Sequence, residues 1–221
     1  MTREPTISYH LTEVPAGAIP HGVTARPAEI DGRAAVRVEL LDEISLHGRP
    51  GVDYIDQPTF LIIPADFTTG TIQVEIWSRL NGIWMSDARA FAGLAYRVSP
   101  GRDSFESVYL RPLNGAKVSP PAPRDQRAIQ YFAYPEWPFD RLREVYPDGR
   151  YETGLEIGPG EWITLRLSVT TDAVIATVNG VTALTVTEPK GAVRTGDIGL
   201  FVDIGTEAYF SNLTICPNPR R

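Results

Sequence analysis

The stretch Trp162-Ile163-Thr164-Leu165-Arg166-Leu167-Ser168-Val169 alternates apolar and polar residues from Ile163 onward. Successive side chains of a β-strand point to opposite faces of the sheet, so this pattern predicts a strand with one buried face. Two more apolar runs follow at 173–178 and 181–186, separated by Asn179-Gly180. The tightest hairpin turns require positive φ at both central residues, which Asn and Gly accept readily. The pair therefore predicts a β-hairpin.

The same alternation extends over most of the chain. It recurs at 35–40 and 71–77, and further strands are predicted at 6–11, 59–63, 91–98, 105–111, 127–132, 151–157, 197–203 and 207–215. About a dozen short strands are typical of two packed sheets. Only the segment 138–146 suggests a helix, because it begins with Pro and stops before Pro147-Asp148-Gly149. We therefore predict an all-β fold, a two-sheet antiparallel sandwich with at most one short helix.

Composition agrees with this fold class. The chain has 221 residues, of which 43% are hydrophobic and 22% charged, as in an average globular protein. Its 19 glycines and 19 prolines are too many for a helical bundle and are typical of short strands joined by turns. The sequence has no internal repeat, and no linker in it is long enough to divide the chain. It predicts a single domain over residues 1–221.

Charge and motifs exclude several classes of function. The net charge is -6 and no basic stripe is present, which argues against a nucleic-acid partner. No apolar run approaches the roughly 20 residues of a membrane span, and the first residues lack a secretory leader, so we expect a cytoplasmic protein without a membrane partner. The sequence contains no phosphate-binding loop, dinucleotide fingerprint or zinc motif. No cofactor is predicted.

The segment 91–151 interleaves aromatic residues and arginines more densely than the rest of the chain. Alternation places Tyr109 and Arg111 on one sheet face, opposite Val108 and Leu110. Flat aromatic rings and fork-shaped donors suit sugar rings, although an ordinary solvated sheet face carries the same residue types. The predicted substrate-binding residues are Arg97, Tyr109, Arg111, Gln130, Tyr131, Trp137 and Arg141.

Strand carboxylates are the candidates for acid/base chemistry, because glycoside hydrolysis usually needs two of them across the substrate. Glu75 shares the parity of Gln73 and would point into a groove, and Glu152 follows the aromatic segment. We predict these two glutamates as catalytic residues. Glu106 has the parity of the core residues and should be buried or paired with an arginine. The alternative for each glutamate is an exposed strand carboxylate or a structural ion pair.

A set of short segments carries a family resemblance. They are Gly70–Glu75, Phe91–Leu94, Phe105–Pro112, Ile129–Tyr131, Tyr151–Glu152, Pro159–Trp162, Val178–Gly180, Gly196–Leu200 and Ala208–Leu213. In this order, across about residues 55–215, the chain resembles the concanavalin A-like lectin/glucanase superfamily, near its laminin-G-like and 3-keto-disaccharide hydrolase-like branches. The resemblance implies a curved jelly roll whose concave sheet binds carbohydrate.

The resemblance does not carry over a catalytic pair, because the glucanase E-x-D-x-E strand motif is absent. It allows a structural calcium ion, but the sequence has no acidic cluster dense enough to place one. We therefore expect a mono- or oligosaccharide ligand and favour an enzyme, either a glycoside hydrolase or a related carbohydrate-active enzyme. The alternatives are a non-catalytic carbohydrate-binding domain and an assembly module, in which 135–138 would dock a partner subunit. A homo-oligomer is compatible with all three.

Overall fold

The computed structural model describes residues 6–83 and 86–219, which form β-strands for the most part. The strands are β1 Ile7–Tyr9, β2 Ile19–His21, β3 Val23–Ile30, β4 Arg33–Leu40, β5 Phe60–Phe67, β6 Gly70–Leu80, β7 Ala92–Val98, β8 Phe105–Leu110, β9 Ile129–Tyr134, β10 Glu152–Thr153, β11 Trp162–Val169, β12 Val174–Val178, β13 Val181–Val186, β14 Gly196–Val202 and β15 Thr206–Pro217. The helices are α1 Asp42–His47 and α2 Phe139–Val145, with 3-10 turns at Pro112–Asn114, Ala116–Val118 and Arg124–Gln126.

The strands form two antiparallel sheets. One has eight strands in the order β13-β12-β11-β6-β15-β4-β3, with β1 added alongside β15. The other has seven strands in the order β10-β9-β8-β7-β14-β5-β2. Neighbours in a sheet are often distant in sequence, as with β6 and β15, so the chain crosses repeatedly between the sheets. The predicted all-β, two-sheet antiparallel sandwich is confirmed.

The core lies between the two sheets and follows the predicted alternation. Ile163, Leu165, Leu167 and Val169 of β11 are each at most 1% exposed. They lie opposite the apolar positions of β6, including Ile72 and Val74. Complete burial of one such side chain contributes on the order of 2 kcal/mol, so the alternating stretch is a major source of stability.

Turns and helices agree in part with the predictions. The hairpin between β12 and β13 turns at Asn179 and Gly180, which have φ values of 50° and 82°. The predicted helix over 138–146 is α2. A second helix, α1, was not predicted, because its six residues are too few to show a helical period. None of the described helices is long and apolar enough to cross a membrane.

Candidate functional site

A cavity of about 420 Å³ opens beside the seven-stranded sheet, where β8 carries Tyr109 and β14 ends before Asp203. This volume is typical of a small-molecule site. We call it the Arg111 pocket. Its aromatic lining is Tyr54, Phe91, Tyr109 and Phe139. Its charged lining consists of Asp56, Asp87 and Asp203 together with Arg89, Arg111, Arg124, Arg127 and Arg143.

Tyr109 and Arg111 lie together in this pocket, as alternation along β8 predicted. The Arg111 guanidinium donates a hydrogen bond from Nη2 to the Tyr109 hydroxyl at 2.5 Å. Tyr109 is opposite Gly93 of β7, where a Cβ atom would lie 2.4 Å from the Tyr109 Cα atom. Only glycine therefore lets β7 approach the backbone of Tyr109 this closely.

Glu152 lies behind the pocket wall and is surrounded by arginines. Its carboxylate accepts Arg143 Nε at 2.8 Å and forms ion pairs with Arg127 at 3.2 Å and Arg111 at 3.3 Å. The Glu152 side chain is only 7% exposed, and both of its oxygens have cationic partners. Such a carboxylate holds three guanidinium groups in place and has no oxygen free to accept a proton from a ligand.

Two aspartates that sequence reasoning missed complete the pocket. Asp203 follows β14, and its oxygens accept the backbone N–H groups of Ile55 at 3.0 Å, Asp56 at 3.0 Å and Ile204 at 2.7 Å. These bonds hold Ile55 and Asp56 in the left-handed region, at φ values of 69° and 55°. A β-branched residue rarely adopts such a φ, and strain of this kind is concentrated at functional sites.

Asp56 differs from Asp203 in its free hydrogen-bonding capacity. Its Oδ2 accepts the backbone N–H of Phe139 at 2.7 Å, which joins the strained loop to the start of α2. Its Oδ1 is buried and has no hydrogen-bond partner among the described residues. A buried carboxylate oxygen without a partner is costly, so it marks a position where a ligand can supply the missing contact.

The environment of Asp56 changes its acidity. Burial raises the pKa of the Asp56 carboxyl to about 7, and the negative charge of Asp203 acts in the same direction. The hydrogen bond from Phe139, the charge of Arg111 and the neighbouring Tyr109 hydroxyl offset part of this rise in pKa. Burial also raises the pKa of Tyr109 well above its usual value, so this phenol stays protonated at neutral pH. The pocket thus combines a group that exchanges a proton near neutrality with a permanent O–H donor.

Arg97 does not join this site, which corrects the predicted grouping. It has a φ of 55° in a β-bulge, where β7 carries one more residue than β14. The bulge interrupts alternation and brings Arg97 to Glu106, with 2.6 Å between Nη1 and Oε1 and both side chains 1% exposed. Arg97 also donates to the backbone oxygens of Thr68 and Thr170. The expectation that Glu106 is buried with an arginine is confirmed.

Tyr131 and Gln130 are also bound within the protein. The Tyr131 hydroxyl donates to Glu106 Oε2 at 2.5 Å and accepts the Lys190 N–H at 2.7 Å. Gln130 is fully buried and donates to the backbone oxygens of Tyr131 and Tyr151. Neither residue lines the Arg111 pocket, although Gln130 lies between Tyr109 and Glu152 in the sheet register.

Glu75 lies in the other sheet, which corrects its predicted place in the groove. It belongs to β6, where it alternates with the core residues Ile72, Val74 and Ile76, so its side chain projects from the outer face of the eight-stranded sheet. Arg33 donates to Glu75 Oε2 at 2.7 Å, and Asn212 donates to the same oxygen at 2.7 Å. Glu75 and Glu152 therefore do not meet across one groove.

Trp137 and Arg141 lie outside the pocket as well. The Arg141 guanidinium is 4.4 Å from the centre of the Trp137 ring, and Trp137 packs at 6.0 Å from Tyr146. Trp137 is thus partly buried beneath cationic groups and does not form the flat apolar patch expected of a docking residue.

The sequence signals for the missed residues were weak. Asp56 and Asp203 lie in connections between strands, where alternation predicts nothing, and they are separated by 147 positions. Asp203 is the last residue of the predicted strand 197–203 and Asp56 precedes the predicted strand 59–63, and neither position marks a site. No cluster of three or more His, Cys, Asp or Glu side chains within 6–83 and 86–219 is arranged to hold a metal ion.

Comparison with known proteins places this geometry in context. The sequence profile of the 3-keto-alpha-glucoside-1,2-lyase-like domain matches residues 55–216. No curated protein matches the chain. A Bacillus subtilis protein of unknown function with a galectin-like fold superposes with a TM-score of 0.61 at 9% identity, covering 100% of this chain and 99% of that one.

Two further solved structures share the fold. A prokaryotic β-1,3-1,4-glucanase (lichenase) derived from a mouse hindgut metagenome has a TM-score of 0.58 at 10% identity, with 96% of this chain and 99% of that one covered. The carbohydrate-binding module CBM66 from Bacillus subtilis has a TM-score of 0.54 at 11% identity, with 88% and 96% covered. At these identities the likeness shows the fold alone. The profile match spans most of the chain, which therefore belongs to the 3-keto-alpha-glucoside-1,2-lyase-like family, a carbohydrate-related domain of the concanavalin A-like superfamily.

Proposed function

We propose that the chain is an enzyme that binds a saccharide in the Arg111 pocket and cleaves it by elimination, with Asp56 as the general base. The observation that carries this proposal is the buried, unpartnered Oδ1 of Asp56 in a cavity that also holds Tyr109 and Arg111. A general base works best when its pKa is close to the working pH, and the pKa of Asp56 is about 7.

The three groups have complementary roles toward a sugar that carries a carbonyl. Oδ1 of Asp56 removes the proton from the carbon next to the carbonyl, and the electron pair moves onto the carbonyl oxygen. The Tyr109 hydroxyl and the Arg111 guanidinium are donors for the negative charge that develops on that oxygen. Their mutual hydrogen bond and the Glu152 ion pair hold them in place before the substrate arrives.

The second half of the reaction breaks the glycosidic bond. The electron pair returns from the oxygen, a carbon–carbon double bond forms between C1 and C2, and the bond from C1 to the glycosidic oxygen breaks. The leaving oxygen takes a proton from the Asp56 carboxyl, so the carboxylate is regenerated and neither water nor an oxidant is consumed. The family description, a 3-keto-α-glucoside 1,2-lyase, names this type of cleavage.

The carboxylates of the pocket favour elimination over hydrolysis. Glycoside hydrolysis usually employs two carboxyl groups that are both free to act on the substrate. Here the oxygens of Asp203 are occupied by backbone N–H groups, and those of Glu152 by arginines. The remaining carboxylate of the lining, Asp87, is exposed at the rim. Only Asp56 combines burial with a free oxygen.

The decisive experiment uses Asp56→Asn with a nitrophenyl 3-keto-α-glucoside as substrate. We expect kcat/KM to fall by roughly 10²–10⁴-fold, because the amide cannot accept the proton. The amide oxygen can still accept the Phe139 N–H, so the fold should persist. Asp172→Asn, an exposed substitution in a turn of the eight-stranded sheet, is the matched control.

Product analysis separates the reaction types. Elimination gives an unsaturated keto sugar that is lighter by one water molecule than the hydrolysis product, and mass spectrometry distinguishes the two. Hydrolysis product from the wild-type protein would contradict the proposed mechanism. The alternative of a non-catalytic binding domain predicts saturable binding of the keto glucoside without release of nitrophenol by the wild-type protein.

A further inference from the structure

We propose that the saccharide bound in the Arg111 pocket carries an anionic substituent, a carboxylate or a phosphate, which Arg89 and Arg124 bind. This inference rests on the proposed function, because it names the substrate class of the same site. The five arginines of the pocket differ in their ion pairs. Three of them pair with the Glu152 carboxylate, and the other two form no ion pair with a described residue.

Arg111, Arg127 and Arg143 all form ion pairs with Glu152. By contrast, no carboxylate oxygen of the described chain lies within 4 Å of the guanidinium nitrogens of Arg89 or Arg124. Arg89 donates from Nη1 to the backbone oxygens of Ser86 at 2.8 Å and Ala88 at 2.6 Å, which fixes one edge of its guanidinium group. The other edge of this planar group, with Nε and Nη2, has no hydrogen-bond partner in the described part of the chain.

Arg89, Arg111 and Arg124 line the same cavity, and the charges of the other two act on Arg89. Burial lowers the pKa of Arg89, and the positive charges of Arg124 and Arg111 lower it further, whereas Asp87 partly compensates. Like charges held this close in a partly buried cavity are unfavourable unless a counter-charge is supplied. An anion placed between Arg89 and Arg124 would supply it, with two N–H groups of each fork available for a bidentate contact.

The charge balance of the whole cavity points in the same direction. Five arginines line it against three aspartates, with Glu152 behind the wall, and one of the aspartates, Asp56, is partly protonated at neutral pH. The cavity is therefore positive in a chain whose net charge is -6. A neutral sugar needs no such field, whereas an anionic sugar would be concentrated by it and oriented with its charge at Arg89 and Arg124.

The test compares ligands that share one sugar ring and differ in the charge of the group at C6. Methyl α-glucoside, methyl α-glucuronide and the 6-phosphate of methyl α-glucoside are titrated into the full chain by calorimetry at low and high salt. We expect at least one of the two charged ligands to bind about tenfold or more tightly than the neutral one. Its affinity should fall as ionic strength rises. Comparison of the affinities for the glucuronide and the 6-phosphate shows whether the site prefers a carboxylate or a phosphate.

Variants locate the binding groups. Each of the single variants Arg89→Gln and Arg124→Gln should lower the affinity for the charged ligand by about tenfold, and the double variant should lower it further. The affinity for the neutral ligand should stay unchanged in all three variants. Arg150→Gln, in an exposed arginine outside the pocket that pairs with Asp148, is the matched control and should change neither. Equal affinity for charged and neutral ligands, or charged-ligand binding that persists in the double variant, would overturn the inference.

Experiments with the same ligands distinguish a failure of this inference from a failure of the proposed function. Asp56→Asn removes a negative charge from the pocket, so it should retain or strengthen anion binding while it abolishes cleavage. Anion binding without turnover by the wild-type protein would contradict the enzyme and leave the inference standing. Turnover that depends on Asp56 but shows no preference for a charged sugar would support the proposed enzyme and contradict the inference of an anionic substrate.

Discussion

Asp203 accepts the backbone N–H of Asp56 at 3.0 Å, and this bond assigns the two buried carboxylates different roles. Asp203 commits both oxygens to main-chain donors and holds Asp56 in its left-handed conformation. Asp56 uses one oxygen on Phe139 and keeps the other free. In the proposed mechanism Asp203 is thus a positioning residue, and Asp56 is the group that faces the ligand.

This relationship predicts a change in the pH profile of Asp203→Asn. The negative charge of Asp203 is the second cause of the raised pKa of Asp56, after burial. We therefore expect the apparent pKa of the rising limb of kcat/KM to fall below that of the wild-type protein. The variant should also be less stable, because an amide nitrogen replaces one acceptor of the backbone N–H groups. Reduced stability with an unmoved pH profile would limit Asp203 to a structural role.

The pH dependence of the wild-type reaction tests the direction of proton transfer. A general base must be ionised in the free enzyme, and the pKa of Asp56 is about 7. We predict that kcat/KM rises with pH, with a midpoint near 7, and then reaches a plateau. A rate that falls through the same midpoint would show that the protonated carboxyl is the active form.

The same carboxyl makes the folded state sensitive to pH. The pKa of Asp56 is raised from 3.8 to about 7 on folding, so between these values the folded protein retains a proton that the unfolded chain has lost. The free energy of unfolding should therefore fall as pH rises from about 4 to about 7 and level off above. The full effect is at most roughly 4 kcal/mol.

Urea unfolding of wild type and Asp56→Asn across this range measures the effect. The variant should show a shallower slope and should gain stability relative to the wild type toward pH 8. Some slope should remain, since burial also raises the pKa of Asp203. Parallel curves for the two proteins would contradict the assignment.

Glu152→Gln should act through stability and positioning. The substitution removes the carboxylate that forms ion pairs with all three of Arg111, Arg127 and Arg143, which then repel one another. Breaking a buried charge cluster from one side costs about 3–5 kcal/mol, so the denaturation midpoint should fall markedly. Glu136→Gln, in an exposed pair with Arg141, should leave the midpoint almost unchanged. Complete loss of kcat at wild-type stability would support the catalytic role predicted from sequence.

Glu75→Gln should leave turnover near the wild-type value. The Glu75 carboxylate pairs with Arg33 on the outer face of the eight-stranded sheet, where no part of the Arg111 pocket lies. Partly exposed pairs of this kind contribute about 0–1 kcal/mol. Steady-state kinetics on the keto glucoside measures the effect. A hundredfold drop in kcat would support the catalytic role of Glu75 that the sequence predicted.

The sequence by itself determined the fold class and one part of the site. Alternation in stretches such as 162–169 identifies which residues are buried, because the pleat of a strand has a period of two wherever the strand is regular. The same rule brought Tyr109 and Arg111 to one face. It failed at Arg97, where a single extra residue in β7 turns the side chain toward Glu106.

Only the tertiary structure decided where the proposed general base lies. Which sheet a strand joins depends on long crossovers, so the sequence could not show that Glu75 and Glu152 belong to different sheets. Asp56 and Asp203 acquire their properties from a shared buried environment that forms when two connections meet. A pKa responds to burial and to neighbouring charge, and both are properties of the folded molecule rather than of local sequence.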